Sequence, residues 1–417
     1  MNTQIHIIGG GISGLIAARV LEDSGLDPII IEASDGIGGR LRTDTVDRHL
    51  LDHGFQVLLT AYPSLKKFLD LESLELTAFQ PGSVIFDNGK KSVLGDASRN
   101  TKFLWPTMIS NAGTIADKLK VWKLNKALQA KSLERIFSEP EVTTLEYLKG
   151  KGFSSRIIER FFRPFYSGIF LENELSTSSR MFEFVFKMFA EGTASLPKNG
   201  IEAIPNQLKN GLKRTAIHLN KPVAEIRDHD LELKSGEIIP REYLINATND
   251  PFLHSTNAPS VAHRHWKSCQ TLYFKTDERV IDEPMIGLIA DKEAVVNNIC
   301  YSSRLYPHPD GEEILSVTVV REHQLGRDQL VEKVKEELKA HCGIHAKLEF
   351  VKLYDIPQAL PELNDLQYDL KPGSTKLDAH TFLTGDTMLN ASLNGAMIAG
   401  EQAALDLLKA IQEKELK

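Results

Sequence analysis

Six residues near the start of the chain, Gly9-Gly10-Gly11-Ile12-Ser13-Gly14, constrain its fold more than any other feature. They follow an apolar run, Gln4 to Ile8, that reads as a buried strand. They open a segment with helical apolar spacing, Ile12 to Asp23, which Gly25 is placed to stop. A second apolar run, Pro28 to Ile31, ends at Glu32 and completes a strand, helix, strand unit long enough for a right-handed parallel crossover. In that setting each glycine of G-x-G-x-x-G has a task. Gly9 permits a tight turn, Gly11 lets the backbone approach a pyrophosphate, and Gly14 lets helix and strand pack closely. The helix start adds unpaired N–H groups and positive potential. Glu32 lies 18 residues beyond Gly14, where its carboxylate can accept from ribose hydroxyls and would repel a 2′-phosphate. The pattern alone does not separate NAD from FAD.

The chain has 417 residues, of which 42% are hydrophobic and 25% charged, so it should fold into two or three packed units. Its formal charge of -7 gives no general attraction for nucleic acid, which is not expected as a partner. Three cysteines, Cys269, Cys300 and Cys342, are too few and too irregularly spaced for a disulfide framework or a thiolate zinc site. They fit a reducing cytoplasm, and no metal is expected. No apolar stretch reaches the ~20 residues of a membrane-spanning helix, and no signal peptide is read.

From about Leu65 to Ala190 the spacing reads as helical, with an aromatic-rich block from Phe153 to Phe189, and suggests an inserted domain. Ala216 to Ala247 alternates apolar and polar residues around Lys234-Ser235-Gly236-Glu237 and reads as a β-meander. Thr271 to Phe274, Met285 to Ala290, Val295 to Tyr301 and Ile314 to Val320 read as strands of a second, mixed sheet, followed by a helix near Gln329 to Ala340. Thr381 to Thr384 reads as a strand and Leu393 to about Glu413 as a helix closing the nucleotide domain.

The residues after Glu32 add a second glycine pair and an arginine, Gly38-Gly39-Arg40, which offer backbone N–H groups and a fixed positive charge to a diphosphate. The run from Gly9 through Arg40 and Thr43 resembles the N-terminus of the flavin-containing amine oxidase and phytoene desaturase superfamily. The resemblance continues in Asp52-His53-Gly54-Phe55-Gln56-Val57-Leu58-Leu59-Thr60-Ala61-Tyr62-Pro63, closest to the desaturase branch. It continues again in Phe382-Leu383-Thr384-Gly385-Asp386 and Ala391 to Gly400. It implies noncovalent FAD, because the family's flavin-linking cysteine is missing after Cys342. The implied cofactor positions are Gly9, Gly11, Ser13, Gly14, Glu32, Ala33, Gly38, Gly39 and Arg40, then Gly54, Phe55 and Gln56 beside the flavin ring. Val223 would meet the adenine, Gly385 and Asp386 a ribityl hydroxyl, and Asn394, Gly395 and Ala396 the helix start facing the ring. It also implies an α/β architecture in which a discontinuous Rossmann-like FAD domain (1–65, 191–255 and 355–417) carries an inserted α+β substrate domain (66–190 and 256–354).

Many amine oxidases of this family carry a lysine beside the flavin. The best register, Lys267-Ser268-Cys269, puts Cys269 there, with Lys267 on the same face of an extended strand. Both are therefore catalytic candidates. No other G-x-G-x-x-G follows a strand, which argues against an NAD(P)H domain, so electrons should pass from substrate to oxygen, a quinone or a carrier. His263, His265 and Trp266 are weighed as a metal cluster and set aside in favour of ordinary loop or core histidines. The aromatic block, Arg160 to Tyr166 and Met181 to Phe186, is open to three readings: core packing, a tunnel lining, or peripheral contact with the inner face of a membrane. The expected activity is hydride removal from a bulky, apolar small molecule. Amine oxidation and a flavin-binding scaffold without turnover are the alternatives, and the oligomeric state is left open.

Overall fold

The computed structural model describes residues 4–249, 265–306 and 312–415. The domain boundary drawn at 255 and His263 lie outside the described residues. Five strands form an all-parallel sheet in the order Ala216–His218, Ile29–Ile31, Ile5–Ile8, Tyr243–Asn246 and Thr381–Leu383. Strands from the start, middle and end of the chain thus lie side by side. Such strands are covered on both faces and read as continuous apolar runs. Ile7, Ile30, Ile245 and Phe382 face helix Ile12–Asp23 and the C-terminal helix Leu393–Glu415, in one core with Leu15, Ile16 and Leu407. Ile8, Ile31 and Leu244 point to the other side and pack on Val223, Leu231 and Leu233.

That second cover is an antiparallel meander of Val223–Ile226, Asp230–Leu233 and Ile238–Pro240. The segment Ala216 to Ala247 is therefore not a single meander. Its two end strands pair in parallel with Ile29–Ile31 and Ile5–Ile8. Alternation reports a half-buried strand, but it does not name the sheet to which the strand belongs.

A seven-stranded mixed sheet has the order Glu349–Pro361, Trp266–Thr276, Glu313–Val319, Val296–Tyr301, Ile286–Ile289, Gly82–Asp87 and Lys90–Gly95. The four strand expectations between 271 and 320 all fall in it. The last two strands correct the helical reading of 65–190. Val84, Ile85 and Phe86 are buried against the parallel neighbour Ile286–Ile289, and Asn88-Gly89 turns the hairpin with φ of 50° and 72°. Asn-Gly between apolar runs is a hairpin signal readable from sequence.

Helices Ile115–Ala130, Arg163–Phe170 and Ser179–Glu191 fill most of the remaining inserted region. Their aromatic block does not face solvent. Phe162, Phe170, Phe182 and Phe184 are 0 to 1% exposed, and Tyr166 meets Phe182 with ring centroids 4.7 Å apart. Among the described residues no helix is long and apolar enough to cross a membrane.

Candidate active site

A cavity of about 1490 Å³ runs between the two sheets. Its size exceeds the ~300 to 1,000 Å³ of ordinary small-ligand pockets, so it has room for a large cofactor and a substrate together. One end is built from glycines. Gly9 leaves its strand with φ +101°, and its N–H donates to the Ile31 carbonyl at 2.9 Å. Gly14 is fixed by packing, because a Cβ there would lie 2.1 Å from the Gly9 carbonyl oxygen. Gly11 is different. A Cβ on it would meet nothing closer than the Gly39 Cα at 4.0 Å and would project into the cavity. No protein atom demands glycine at 11, which is what a backbone reserved for close approach by a ligand looks like. The helix that begins at Ile12 has neither a side-chain cap nor an acidic residue in its first turn, so its N–H groups and positive potential remain available.

Gly38 and Gly39 have φ of +109° and +61°, and the Gly38 N–H donates to the Gly10 carbonyl at 2.8 Å, bringing the second glycine pair beside the first. Glu32 lies on the wall, but much of its acceptor capacity is used within the protein. Its Oε2 accepts from the Gly10 N–H at 2.6 Å, and its Oε1 accepts from the Ser34 N–H and hydroxyl, both at 2.8 Å. A carboxylate has about four acceptor positions, so capacity for one ribose hydroxyl remains on Oε2. Ala33 is exposed and off the wall.

Arg40 and Asp386, read from opposite ends of the chain, form an ion pair of 2.7 Å. Arg40 also donates to the Ala359 carbonyl at 3.2 Å and sits 5.6 Å from the Trp266 ring centroid. Asp386 is 5% exposed, and Gly385 before it takes φ +143°. Gln56 donates from Nε2 to the Arg40 and His53 carbonyls, at 2.9 and 3.0 Å. Gly54, with φ +95°, presses so closely on Ile356 that a Cβ would lie 2.9 Å from its Cδ1. Ser13 lies on the wall and donates its hydroxyl to the Ala396 carbonyl at 2.9 Å, tying the two helix starts together.

Three more of the implied cofactor positions, like Gly14 and Ala33, lie off the cavity wall. Val223 is in the core behind the sheet, off the cavity wall. Asn394 is fully buried and accepts from the Ser64 N–H at 3.0 Å, while Gly395 makes room for Asn390, whose Oδ1 would lie 2.8 Å from a Cβ. Their neighbours Ala391, Ser392, Leu393 and Ala396 line the cavity in their place.

The other end is apolar. Phe55, Tyr62, Phe79, Phe161, Phe165 and Phe189 line it, so the aromatic block divides by helix face between core and cavity wall. Lys267 and Cys269 both line the cavity, as their shared strand face requires, and Ser268 between them is exposed. The Lys267 ammonium donates to the Thr177 hydroxyl at 3.1 Å, and burial pushes its pKa below the usual lysine value. Burial pushes the Cys269 thiol up to about 11, so it stays protonated and unreactive at neutral pH.

Sequence reasoning missed the buried anchor beneath Gly54. Asp52 accepts from the Thr43 and Tyr306 hydroxyls, each at 2.6 Å, and from the Ile201 N–H at 3.0 Å. Burial raises its pKa against those hydrogen bonds. Nothing local in Asp52-His53 signals this, because Ile201 and Tyr306 lie far along the chain and only Thr43 is near in sequence. Trp266, which the sequence groups with His263 and His265, has the Arg40 guanidinium over its ring. Among the described residues no group of three or more His, Cys, Asp or Glu side chains is placed to hold a metal.

The pattern of the flavin containing amine oxidoreductase family matches residues 12–408, and the chain belongs to that family. It is 26% identical over 243 residues to an L-amino-acid oxidase of Sistrurus catenatus edwardsii, a match covering 55% of this chain and 46% of the relative. The chain thus spans less than half the length of that relative. Among solved structures, one assigned to protoporphyrinogen oxidase of an Exiguobacterium species aligns over 99% of both chains with a TM-score of 0.72 at 17% identity. Putrescine oxidase bound to putrescine aligns over 98% of this chain and 99% of its own, with a TM-score of 0.68 at 16% identity. These structures share the fold.

Proposed function

We propose that this member of the flavin-containing amine oxidoreductase family holds FAD noncovalently at the glycine end of the cavity and removes a hydride from a bulky, largely apolar molecule at the aromatic end. The observation that carries the cofactor assignment is Gly11, open to the cavity at an uncapped helix start, while Gly14, three residues on in the sequence, is packed solid. On this reading the parallel sheet and its meander form the Rossmann-like cofactor unit, and the seven-stranded sheet with the helices of 66–190 forms the substrate unit.

The chain's own residues then divide the work. The first N–H groups of helix Ile12–Asp23 and the Arg40 guanidinium neutralise a diphosphate. Arg40 is held for this by Asp386, and Asp386 retains acceptor capacity for a ribityl hydroxyl. Glu32 offers its remaining Oε2 position to ribose. The chemistry FAD supplies when bound is acceptance of a hydride from a C–H bond, and the substrate's neighbouring proton leaves to solvent as an alkene or imine forms. Phe161, Phe165 and Phe189 exclude water and align an apolar substrate. Direct hydride transfer needs no side-chain base, and the protonated Cys269 thiol offers none. The electrons then pass to oxygen, a quinone or a carrier.

Amine oxidation is a second reading, favoured by one observation. Lys267 is on the cavity wall with a lowered pKa and could hold a water there. The purified protein tests the cofactor assignment. Flavin absorbance released by acid or heat is the expected result, and a folded protein that cannot be loaded with FAD contradicts it.

A further inference from the structure

Among the described residues, the exposed large apolar side chains are concentrated in one place. Leu104, Trp105, Ile109, Ile115, Leu119 and Trp122 are 53 to 69% exposed, all on helices Leu104–Ile109 and Ile115–Ala130. Met108 adds to the first of these helices, and the other exposed large apolar residues among those described, Val142, Ile238, Leu325 and Leu405, occur singly along the chain. The two helices are tied together, because the Lys118 ammonium donates to the Met108 and Ser110 carbonyls at 2.9 Å each. On the longer helix Ile115, Leu119 and Trp122 form a stripe at i, i+4 and i+7 that faces outward, while Leu124 and Leu128 face the core. An apolar stripe turned to solvent is unstable unless something covers it.

The charge around the stripe identifies the cover. Arg99, Lys102, Lys118, Lys120, Lys123 and Lys126 lie in this segment, and the only acid between 97 and 130 is Asp117. Asp117 is buried and occupied in capping the helix start at Thr114. None of the six cations forms an ion pair with a described carboxylate. A chain of net charge -7 therefore carries one apolar segment, 97–130, whose exposed charged side chains are all cations. A second copy of the chain is a poor partner, since a two-fold contact would set these lysines against themselves. Apolar side chains with interfacial tryptophans inside a basic fringe match an anionic lipid surface.

We propose that these two helices dock on the surface of a bilayer containing anionic headgroups. Trp105 and Ile109 enter the acyl boundary, and Lys102, Lys123 and Lys126 lie among the headgroups. The docked face continues into the cavity. Thr107, Lys118, Val121, Trp122 and Asn125 belong to the same helices and line it, and Trp122 is on the wall while 53% exposed. An apolar molecule dissolved in the bilayer can thus enter without crossing water. This places lipid contact on 104–126, away from the buried aromatic block.

The test is flotation of the flavin-loaded protein with vesicles of phosphatidylcholine alone and of about 3:1 phosphatidylcholine to phosphatidylserine, at low and high salt. The wild type should partition onto the serine-containing vesicles, less so as salt rises. The double substitution Trp105→Ser and Ile109→Ser should weaken partitioning by about tenfold or more, as should Lys102→Glu with Lys123→Glu and Lys126→Glu. None of these five residues lines the cavity, so flavin content and melting temperature should not move. Absence of vesicle binding, equal binding to both compositions, or variants that bind like wild type would each overturn the proposal. So would a concentration-dependent dimer without vesicles that the tryptophan and isoleucine substitutions dissolve. The readout is partitioning rather than turnover, so its failure leaves the proposed function standing.

Discussion

Gly11 and Phe165 line the same cavity and were put there by different rules. At the glycine end the walls are backbone: Gly9, Gly38, Gly39, Gly54 and Gly385 all take positive φ, and the polar contacts are short and specific. At the aromatic end the walls are side chains drawn from several helices, with positions set by packing on a common core. A site that binds charge needs backbone geometry at fixed spacing, and that requirement is written locally. A site that binds apolar bulk needs only volume and dryness, which many sequences supply. The first end should therefore respond sharply to single substitutions and the second should tolerate them.

The contrast breaks first at the glycines, where the largest effects are expected. Gly14→Val should abolish folding, since the Gly9 carbonyl oxygen already lies 2.1 Å from the site of a Cβ. This exceeds the ~4 kcal/mol that marks exceptional substitutions. Gly11→Val should fold with the melting temperature of the apoprotein unchanged and yet fail to take up FAD, because its Cβ enters only empty cavity. Calorimetry with flavin quantification separates the two outcomes. If both substitutions unfold the protein, Gly11 is a packing glycine and the ligand argument is lost.

Next come the charged groups. Glu32→Ala should weaken FAD by about 1.5 to 3 kcal/mol, the range for a charged acceptor. Part of that arises indirectly, through release of the Gly10 and Ser34 N–H groups. Unchanged affinity by equilibrium dialysis would remove Glu32 from the site.

Glu22 sharpens the comparison through pH. Burial alone would raise its carboxyl pKa, but hydrogen bonds from the Lys213, Arg214 and Thr215 N–H groups and the Thr215 hydroxyl hold it down to about 2, from the usual 4.5. The folded pKa lies below the unfolded one. The stabilisation is therefore complete above about pH 4.5 and lost as pH falls through about 2. Glu22→Gln should lower stability at neutral pH and flatten the acid limb of a melting-temperature profile. A limb unchanged in slope would show that other carboxylates dominate it.

The smallest effects belong to two side chains on the cavity wall, Lys267 and Cys269. Cys269→Ser should leave the rate nearly intact, and Lys267→Met should change it by about twofold at most if hydride transfer is direct. A loss of about 10²-fold or more with Lys267→Met, the scale of lost proton-transfer catalysis, would favour amine oxidation.

The same two rules explain what could be read before the structure. Strand Ile5–Ile8, helix Ile12–Asp23 and strand Ile29–Ile31 follow from local spacing, and Gly38 to Arg40 follow from a motif whose tasks are backbone tasks. Strand Gly82–Asp87 was hidden because its burial depends on Ile286–Ile289, some 200 residues away, although Asn88-Gly89 announced the turn. Val223 and Asn394 were placed at the cofactor by resemblance and lie beside the wall rather than on it. A motif fixes a backbone path, while the direction of each side chain along that path depends on neighbours from elsewhere. The exposed stripe on Ile115–Ala130 was likewise invisible, since apolar spacing shows that a helix has a face and only the fold shows which way it turns.

Anaerobic titration of the flavin-loaded protein tests the central claim most directly. Bulky lipophilic molecules, polyenes among them, and short amines such as putrescine would be added in turn while flavin absorbance is followed, before any electron acceptor is present. The account predicts stoichiometric bleaching by a lipophilic molecule and none by short amines. Bleaching by short amines alone, or by no compound in a broad lipophilic screen, would contradict it.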